Sequence, residues 1–225
     1  MHVRLFMRAA VAALSLAVSL SSASAQTATT HAEMHKLHSD PKAYASALDD
    51  PKRDEYQRPH EVMMALDVKA GEIIADIGAG TGYFALRLAR HVGASGHVYA
   101  VDVNPDMMRI LNARIRDAKG TNVTGLLAEP DDPLLPEAVN RFLVVDVWHH
   151  IDDQAAYLAK MKTLLKAGGE VIMIDFHKRE LPVGPPAAMK IAREDLIAQM
   201  QTHGFVLSRE HTMLPYQYFL VFTMR

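Results

Sequence analysis

The strongest constraint on the fold is the stretch IADIGAGTGYF, which covers residues 74–84. A short apolar run enters a turn that contains Gly78, Gly80 and Gly82, and a helical pattern begins directly after it. Glycine lets the backbone turn sharply and approach a ligand closely, and the first turn of the next helix offers free N–H groups. The stretch therefore predicts a strand, a nucleotide-binding loop and a helix in succession.

The residues that follow repeat this alternation of strand and helix. Four further apolar runs have the length and composition of buried strands: HVYAVDV, VTGLLA, RFLVVDVW and EVIMIDF. The helix before the last of these is expected to run through Lys166 and to end at Gly168-Gly169. This rhythm predicts an α/β domain with a parallel sheet.

The last part of the chain has a different pattern. After a helix expected from about Arg193 to His203, the runs FVLSREHTML and YQYFLVFTM are separated only by Pro215 and its neighbours. A crossover helix needs more residues than that, so these two runs are expected to pair antiparallel at or near the edge of the sheet.

The neighbours of the glycine loop narrow the choice of ligand. A dinucleotide fingerprint requires a third glycine where Tyr83 stands. Asp76 lies just before the loop, where a carboxylate disfavours a pyrophosphate but can receive a cationic amino group. Asp102 ends the next strand, where an acid accepts hydrogen bonds from ribose hydroxyls. The set predicts a ligand with a ribose and a positive group, which S-adenosylmethionine fits better than NAD.

Three stretches, ADIGAGTGYFALRLA, VYAVDVNPDMM and LLKAGGEVIMIDF, resemble the successive motifs of class I S-adenosylmethionine-dependent methyltransferases. The resemblance implies a Rossmann-like, mostly parallel sheet of seven strands in the order 3-2-1-4-5-7-6, with an antiparallel last strand and helices on both faces. The stretches DVWHHIDD and PVGPP also resemble an exported subgroup of that family.

The same resemblance implies roles for particular residues. The loop from Gly78 to Gly82, with Tyr83 beside it, would wrap the methionine part of the cofactor, and Asp76 would precede it. Asp102 and the adjacent Val103 would hold the ribose. The residue that closes the third strand usually meets the adenine, and by position this is Glu129, with Asp131 as the alternative.

Methyl transfer needs an in-line nucleophile held close, and a base where the nucleophile must lose a proton. Trp148, His149 and His150 follow the fourth strand, next to the expected methyl group. An imidazole with a pKa of about 6.5 can act as a base near neutrality, so the two histidines are the catalytic candidates. The alternative is that one histidine caps the next helix and Trp148 fills the core.

The first 25 residues have the layout of an export signal. Arg4 and Arg8 flank the start of an apolar run from Ala9 to Leu20, and small residues follow at 23–25. A membrane anchor is the alternative, but a span needs about 20 apolar residues and this run is shorter. We expect a cleaved signal peptide at 1–25, a polar arm at 26–52, a methyltransferase domain at 53–225, and a periplasmic or secreted location.

Charge and composition limit the partners. Without residues 1–25 the chain has 22 basic and 26 acidic residues, a formal charge of −4, which supports neither nucleic acid nor an anionic membrane as a partner. Stable membrane insertion after signal cleavage is likewise not expected. His31, His35 and His38 have helical spacing and could meet a metal, but a solvated helix face is the favoured interpretation, so no metal site is predicted.

The sequence thus predicts an exported S-adenosylmethionine-dependent methyltransferase that acts on a small molecule. Two alternatives stay open: an exported protein that binds the nucleoside without turnover, and an NAD(P)-dependent oxidoreductase on the same fold. The oligomeric state is not predicted.

Overall fold

A computed structural model describes residues 39–225. Their strands form one seven-stranded sheet in the order β3-β2-β1-β4-β5-β7-β6. The strands are β1 (Ile73–Ile77), β2 (His97–Asp102), β3 (Val123–Leu127), β4 (Val139–Val145), β5 (Leu165–Phe176), β6 (Phe205–His211) and β7 (Gln217–Met224). Strand β7 runs antiparallel to β5 and β6, and the other pairs are parallel. The expected fold class and strand order are therefore confirmed.

Helices precede the sheet and connect its strands. They are α1 (Pro41–Leu48), α2 (Arg53–Gln57), α3 (Pro59–Leu66), α4 (Ala85–Val92), α5 (Pro105–Asp117), α6 (Gln154–Leu164) and α7 (Arg193–Thr202), with short 3-10 turns at Trp148–His150 and Ala187–Met189. None of the helices in this described part of the chain has the length and apolar character that a membrane span requires.

Local signals determine where the helices next to the loop begin and end. The Asn104 side chain accepts hydrogen bonds from the N–H groups of Asp106 and Met107, which caps α5. Asp153 accepts the N–H of Ala156 in the same way at the start of α6. Helix α4 ends at Gly93, whose φ of 67° lies in the region that glycine adopts without strain.

The core has two apolar layers, one on each face of the sheet. Alternating residues of a strand enter different layers, as Ile74 and Ala75 do in β1. Leu88 and Leu111 of α4 and α5 pack on one face, and Leu158 of α6 packs on the other. Helices therefore cover both faces, as expected, and the carboxyl ends of β1, β2, β4 and β5 share one edge.

Two boundaries differ from the sequence prediction. Helix α6 ends at Leu164, and Gly168-Gly169 lie inside β5 instead of ending the helix. The two glycines occupy an irregular part of β5, since its register against β4 shifts between Val139 and Arg141. Strand β4 ends at Val145, so Trp148 lies in the 3-10 turn after it and not in the strand.

Candidate functional site

The glycine loop leaves β1 at Ile77 and has a backbone that side chains would not permit. Gly78 and Gly80 have φ values of 70° and 55°. A Cβ on Gly78 would lie 2.1 Å from Cγ2 of Val147, and one on Gly80 would lie 2.9 Å from Cδ1 of Leu48. Glycine is therefore required at both positions by conformation and by close packing.

Asp102 ties this loop to the end of β2. Its Oδ2 accepts the N–H of Gly80 at 2.8 Å, and its Oδ1 accepts the N–H of Asn104 at 2.8 Å. Burial raises the pKa of the carboxyl, while these N–H groups favour its ionised form. The carboxylate thus lies at the edge where the sequence predicts the ribose.

Two adjoining cavities open at this edge of the sheet. The front cavity, of about 240 Å³, is lined by Asp76, Gly80, His149 and Phe176 among others. The side cavity, of about 310 Å³, is lined by Asp102, Val103, Ala128, Pro130 and Tyr157 among others. The two share Tyr44, Gly78, Asp146, Val147 and His150. One ligand can therefore extend across the glycine loop from one cavity into the other.

Asp76 supplies an unused acceptor in the front cavity. Burial raises the pKa of its carboxyl to about 7, although the positive charge of Arg53 acts in the opposite direction. Its Oδ2 is buried and has no hydrogen-bond partner among residues 39–225. Such an atom is costly unless a ligand group donates to it, so the position fits a cationic amino group.

Residues before the sheet close the site from the other side. Oγ1 of Thr81 donates to Oδ1 of Asp49 at 2.7 Å, and Nη1 of Arg114 donates to the same oxygen at 2.9 Å. Nη1 of Arg53 donates to the Leu48 carbonyl at 3.0 Å. We call residues 41–53 the strap. The domain boundary at 53 remains a prediction, but most of the strap lies within the predicted arm, against the loop.

Tyr44 of the strap lines both cavities. Burial raises the pKa of its hydroxyl to about 12, helped by the charge of Asp102. The sequence analysis missed this residue because the arm is polar. The Pro41 start of α1 with Asp40 as its N-cap was the one available signal.

Four predicted cofactor residues lie outside these two cavities. Gly82 and Tyr83 line a separate surface cavity, where the Tyr83 hydroxyl donates to Asp54. Guanidinium groups of Arg53 and Arg87 lie 4.0 and 4.1 Å from the centre of the Tyr83 ring. These contacts hold the ring away from the front cavity, and Gly82 packs on Leu111.

Glu129 and Asp131 are exposed and line neither cavity. A bridge between Glu129 and Asp132 turns this segment, so that Ala128 and Pro130 face the side cavity instead. The structure therefore brings together Asp76, Gly78, Gly80, Asp102 and Val103 of the predicted cofactor residues.

Both predicted histidines line the front cavity, and their ring centres are 4.1 Å apart. Nδ1 of His149 lies 3.0 Å from Oδ2 of Asp175, with both side chains 2% exposed. His150 also lines the side cavity. Trp148 is buried in the core and donates from Nε1 to Gln199 at 2.9 Å, as the core-filling alternative expected.

Asp146 is a further acid of the site, at the end of β4. It has a left-handed φ of 57° and accepts a hydrogen bond from Nε2 of Gln217 at 2.7 Å. Burial, reinforced by the charge of Asp175, raises the pKa of Asp146 to about 7. Asp146 follows the end of β4, and Asp175 lies near the end of the neighbouring strand β5. Their positions at the ends of two apolar runs are the sequence signal that indicates their proximity.

Comparison with known proteins agrees with this geometry. Residues 74–169 match the family model described as "Methyltransferase domain". This part of the chain is similar to a methyltransferase domain. The matched range begins in β1 and ends in β5, so it includes the glycine loop, Asp102 and both histidines.

Curated relatives match a similar length. The ubiquinone/menaquinone biosynthesis C-methyltransferase of Burkholderia vietnamiensis is 34% identical over 115 residues, which are 50% of this chain and 46% of that protein. Its counterpart in Burkholderia orbicola is 33% identical over the same length. The chain thus spans about half the length of the curated relatives that it matches.

Solved structures share the fold across more of the chain. A SAM-dependent methyltransferase from Aquifex aeolicus superposes with a TM-score of 0.77 and 24% identity, covering 83% of this chain and 99% of that one. Magnesium protoporphyrin IX methyltransferase from Synechocystis PCC 6803, solved with bound SAH, has a TM-score of 0.64, 17% identity and coverage of 84% and 94%. At these identities the likeness supports the methyltransferase fold alone.

Metal binding has no further support from the described residues. Within 39–225, no group of three His, Cys, Asp or Glu side chains is arranged to hold a metal ion. The histidines of the arm, His31, His35 and His38, lie outside the described residues.

Proposed function

We propose that this chain transfers the methyl group of S-adenosylmethionine to a small-molecule acceptor. The proposal rests on the buried Oδ2 of Asp76, which has no hydrogen-bond partner in the described part of the chain. Asp76 lines a cavity that adjoins, at Gly78, the cavity lined by Asp102. This cofactor has an amino group that can donate to Asp76 and a ribose diol that can donate to Asp102. When bound, S-adenosylmethionine supplies an electrophilic methyl group on a sulfonium.

The residues present fit each part of that cofactor. Asp102 would accept from the ribose hydroxyls, with Val103 beside it, and Asp76 would accept from the amino group. Arg53 lines the front cavity and offers a cation for the carboxylate of the methionine part. The adenine would lie between Pro130 and the far wall of the side cavity, while Glu129 and Asp131 would have to turn inward to reach it.

The acceptor would enter the remaining part of the front cavity. His149 and His150 line it, and either ring can take a proton from the acceptor. The formal charge of −4 after residue 25 favours a small molecule over a nucleic acid or an anionic membrane as the partner.

Calorimetric titration of the purified chain with S-adenosylmethionine tests the cofactor assignment. We expect Asp102→Ala to weaken binding more than tenfold, because the ribose loses both acceptor oxygens. Asp131→Ala is the matched control, since that carboxylate is exposed and lines neither cavity, and should bind within twofold of the unmodified chain. Equal binding by both variants would refute the ribose assignment.

Turnover and location need separate measurements. Labelled methyl transfer to a small-molecule extract of the cell envelope distinguishes an enzyme from a protein that only binds the nucleoside. A titration with NADH in which no binding occurs removes the oxidoreductase alternative. We also propose export, on the basis of residues 1–25, and expect the chain purified from the periplasm or medium to begin at Gln26 by N-terminal sequencing.

A further inference from the structure

His149 separates the front cavity from a second cavity on the outer side of the site. This outer cavity, of about 330 Å³, is lined by His149, Gln154, Met189, Lys190 and Gln199 among others. The His149 ring borders both spaces while the side chain itself is 2% exposed. His149 therefore forms part of the wall between the two cavities.

The contacts of His149 define which nitrogen can act. Nδ1 lies 3.0 Å from Oδ2 of Asp175, and a carboxylate there holds the ring with the proton on Nδ1. Nε2 then carries the lone pair and is the nitrogen that can accept a proton. Orientation of an imidazole by a buried carboxylate is the arrangement that general bases commonly use.

Four charged or titratable groups surround the His149 ring. Asp175 and Asp146 are the acids, Lys190 is the nearby cation, and the ring of His150 lies 4.1 Å away. Burial alone would lower the pKa of His149, but the hydrogen bond to Asp175 and the charges of both acids outweigh it and raise the pKa. These contacts thereby make His149 a stronger base than an unperturbed imidazole.

The walls of the front cavity next to His149 are largely apolar and aromatic. Tyr56 and Phe176 line it, with ring centres 6.0 Å apart and planes inclined by 42°. Gly184 packs so closely on Phe176 that a Cβ would lie 2.8 Å from its ring carbons. These surfaces suit a flat, apolar acceptor.

We propose, resting on the methyltransferase function above, that the acceptor is a phenol whose hydroxyl proton passes to Nε2 of His149, and that Asp175 is the positioning residue for this base. The phenolate oxygen forms a bond to the methyl carbon, the bond from that carbon to sulfur breaks, and its electron pair remains on the thioether. The proton stays on His149 as an imidazolium, next to the carboxylate of Asp175.

The strength of the base selects this class of hydroxyl. A phenol has a pKa of about 10, roughly 3.5 units above an ordinary imidazole. An aliphatic hydroxyl is comparable with water, whose pKa of about 15.7 lies roughly 9 units above that of an ordinary imidazole. An oriented histidine therefore ionises a phenol more readily than an aliphatic alcohol, whose hydroxyl pKa lies much further above that of the imidazole.

The test compares two probes with the full chain. Phenol must lose its proton to the enzyme, whereas 4-nitrophenol is largely ionised near pH 8. We expect Asp175→Asn to lower kcat at least 100-fold with phenol and less than tenfold with 4-nitrophenol, while the Kd of S-adenosylmethionine changes less than threefold. Asp146→Asn is the comparison variant: it removes a neighbouring acid that acts on His149 through its charge alone and does not bond to the ring, so it should lower kcat with phenol at least tenfold less than Asp175→Asn does.

The outcomes separate the two proposals. Equal loss with both probes in Asp175→Asn would make Asp175 merely structural and overturn the positioning role. If the unmodified chain binds S-adenosylmethionine but methylates neither probe, or methylates a ring carbon, the acceptor assignment is wrong. If it does not bind S-adenosylmethionine at all, the function itself fails. Should Asp175→Asn not fold, ¹⁵N NMR of His149 in the unmodified chain must show the proton on Nδ1.

Discussion

Gly78→Ala should lower the free energy of unfolding more than Gly168→Ala, although the two glycines have similar backbone conformations. At Gly78, a left-handed residue with a side chain costs about 1–2 kcal/mol. The new Cβ would also lie 2.1 Å from Cγ2 of Val147. Overpacking of this kind costs about 1–3 kcal/mol more, so the free energy of unfolding should fall by about 2–5 kcal/mol in total.

Gly168 provides the matched control within β5. Its φ of 73° is close to the 70° of Gly78, but a Cβ there would meet nothing within 4 Å. Gly168→Ala should therefore cost only the conformational part, about 1–2 kcal/mol. The double variant Gly78→Ala/Val147→Ala removes the clash and should show a favourable coupling of about 1–2 kcal/mol.

Urea unfolding followed by tryptophan fluorescence measures these differences, because Trp148 is the single tryptophan of the chain and is buried next to Val147. The displaced loop should also bind S-adenosylmethionine at least tenfold more weakly. If Gly78→Ala and Gly168→Ala lower stability equally, the close approach of Val147 does not constrain the loop and the steric argument is refuted.

Two further predictions concern ion pairs. The Arg141 side chain is 12% exposed and lies 3.0 Å from Glu72 and 3.4 Å from Glu170. Arg141→Ala should therefore lower the free energy of unfolding by about 3–5 kcal/mol in the same urea assay. Arg209 is more exposed, so Arg209→Ala should lower it by less than about 1 kcal/mol. Burial alone would raise the pKa of Asp49, but its bonds to Arg114 and Thr81 hold that pKa below its usual range. Asp49→Asn should thus cost about 1 kcal/mol at pH 7, and the difference should disappear as the pH falls through the lowered pKa, below about 4.

Most of the fold could be predicted because it depends on local signals that repeat. The runs at 73–77, 97–102 and 139–145 are largely apolar and do not alternate with polar residues, as is typical of strands covered on both faces. The short gap around Pro215 excluded a crossover helix, and β6 and β7 are antiparallel. The end of α6 was misplaced because glycine after a helical pattern usually indicates a C-cap, whereas here the pairing of Leu165 with Val139 begins the strand first.

The candidate site could be predicted where its residues adjoin strand ends, and not where they come from elsewhere in the chain. Asp76 and Asp102 occupy positions that the topology brings together, so their spacing alone was informative. The direction of a side chain after a strand is not a periodic property. The amino-acid sequence alone does not indicate that Pro130 faces the side cavity while Glu129 forms a backbone bridge with Asp132.

The strap shows most clearly why a functional site can include residues that lie outside its sequence motif. Its helix α1 buries only Ala45 fully, so no apolar periodicity distinguishes it from a solvated arm. It is held instead by polar bonds over long separations, from Thr81 and Arg114 to Asp49. The bond from Thr81 connects Asp49 to the glycine loop itself, and Leu48 lies over Gly80. Because ligand and strap contact the same loop, binding of the cofactor and docking of the strap must be coupled, and Asp49→Asn should weaken both together.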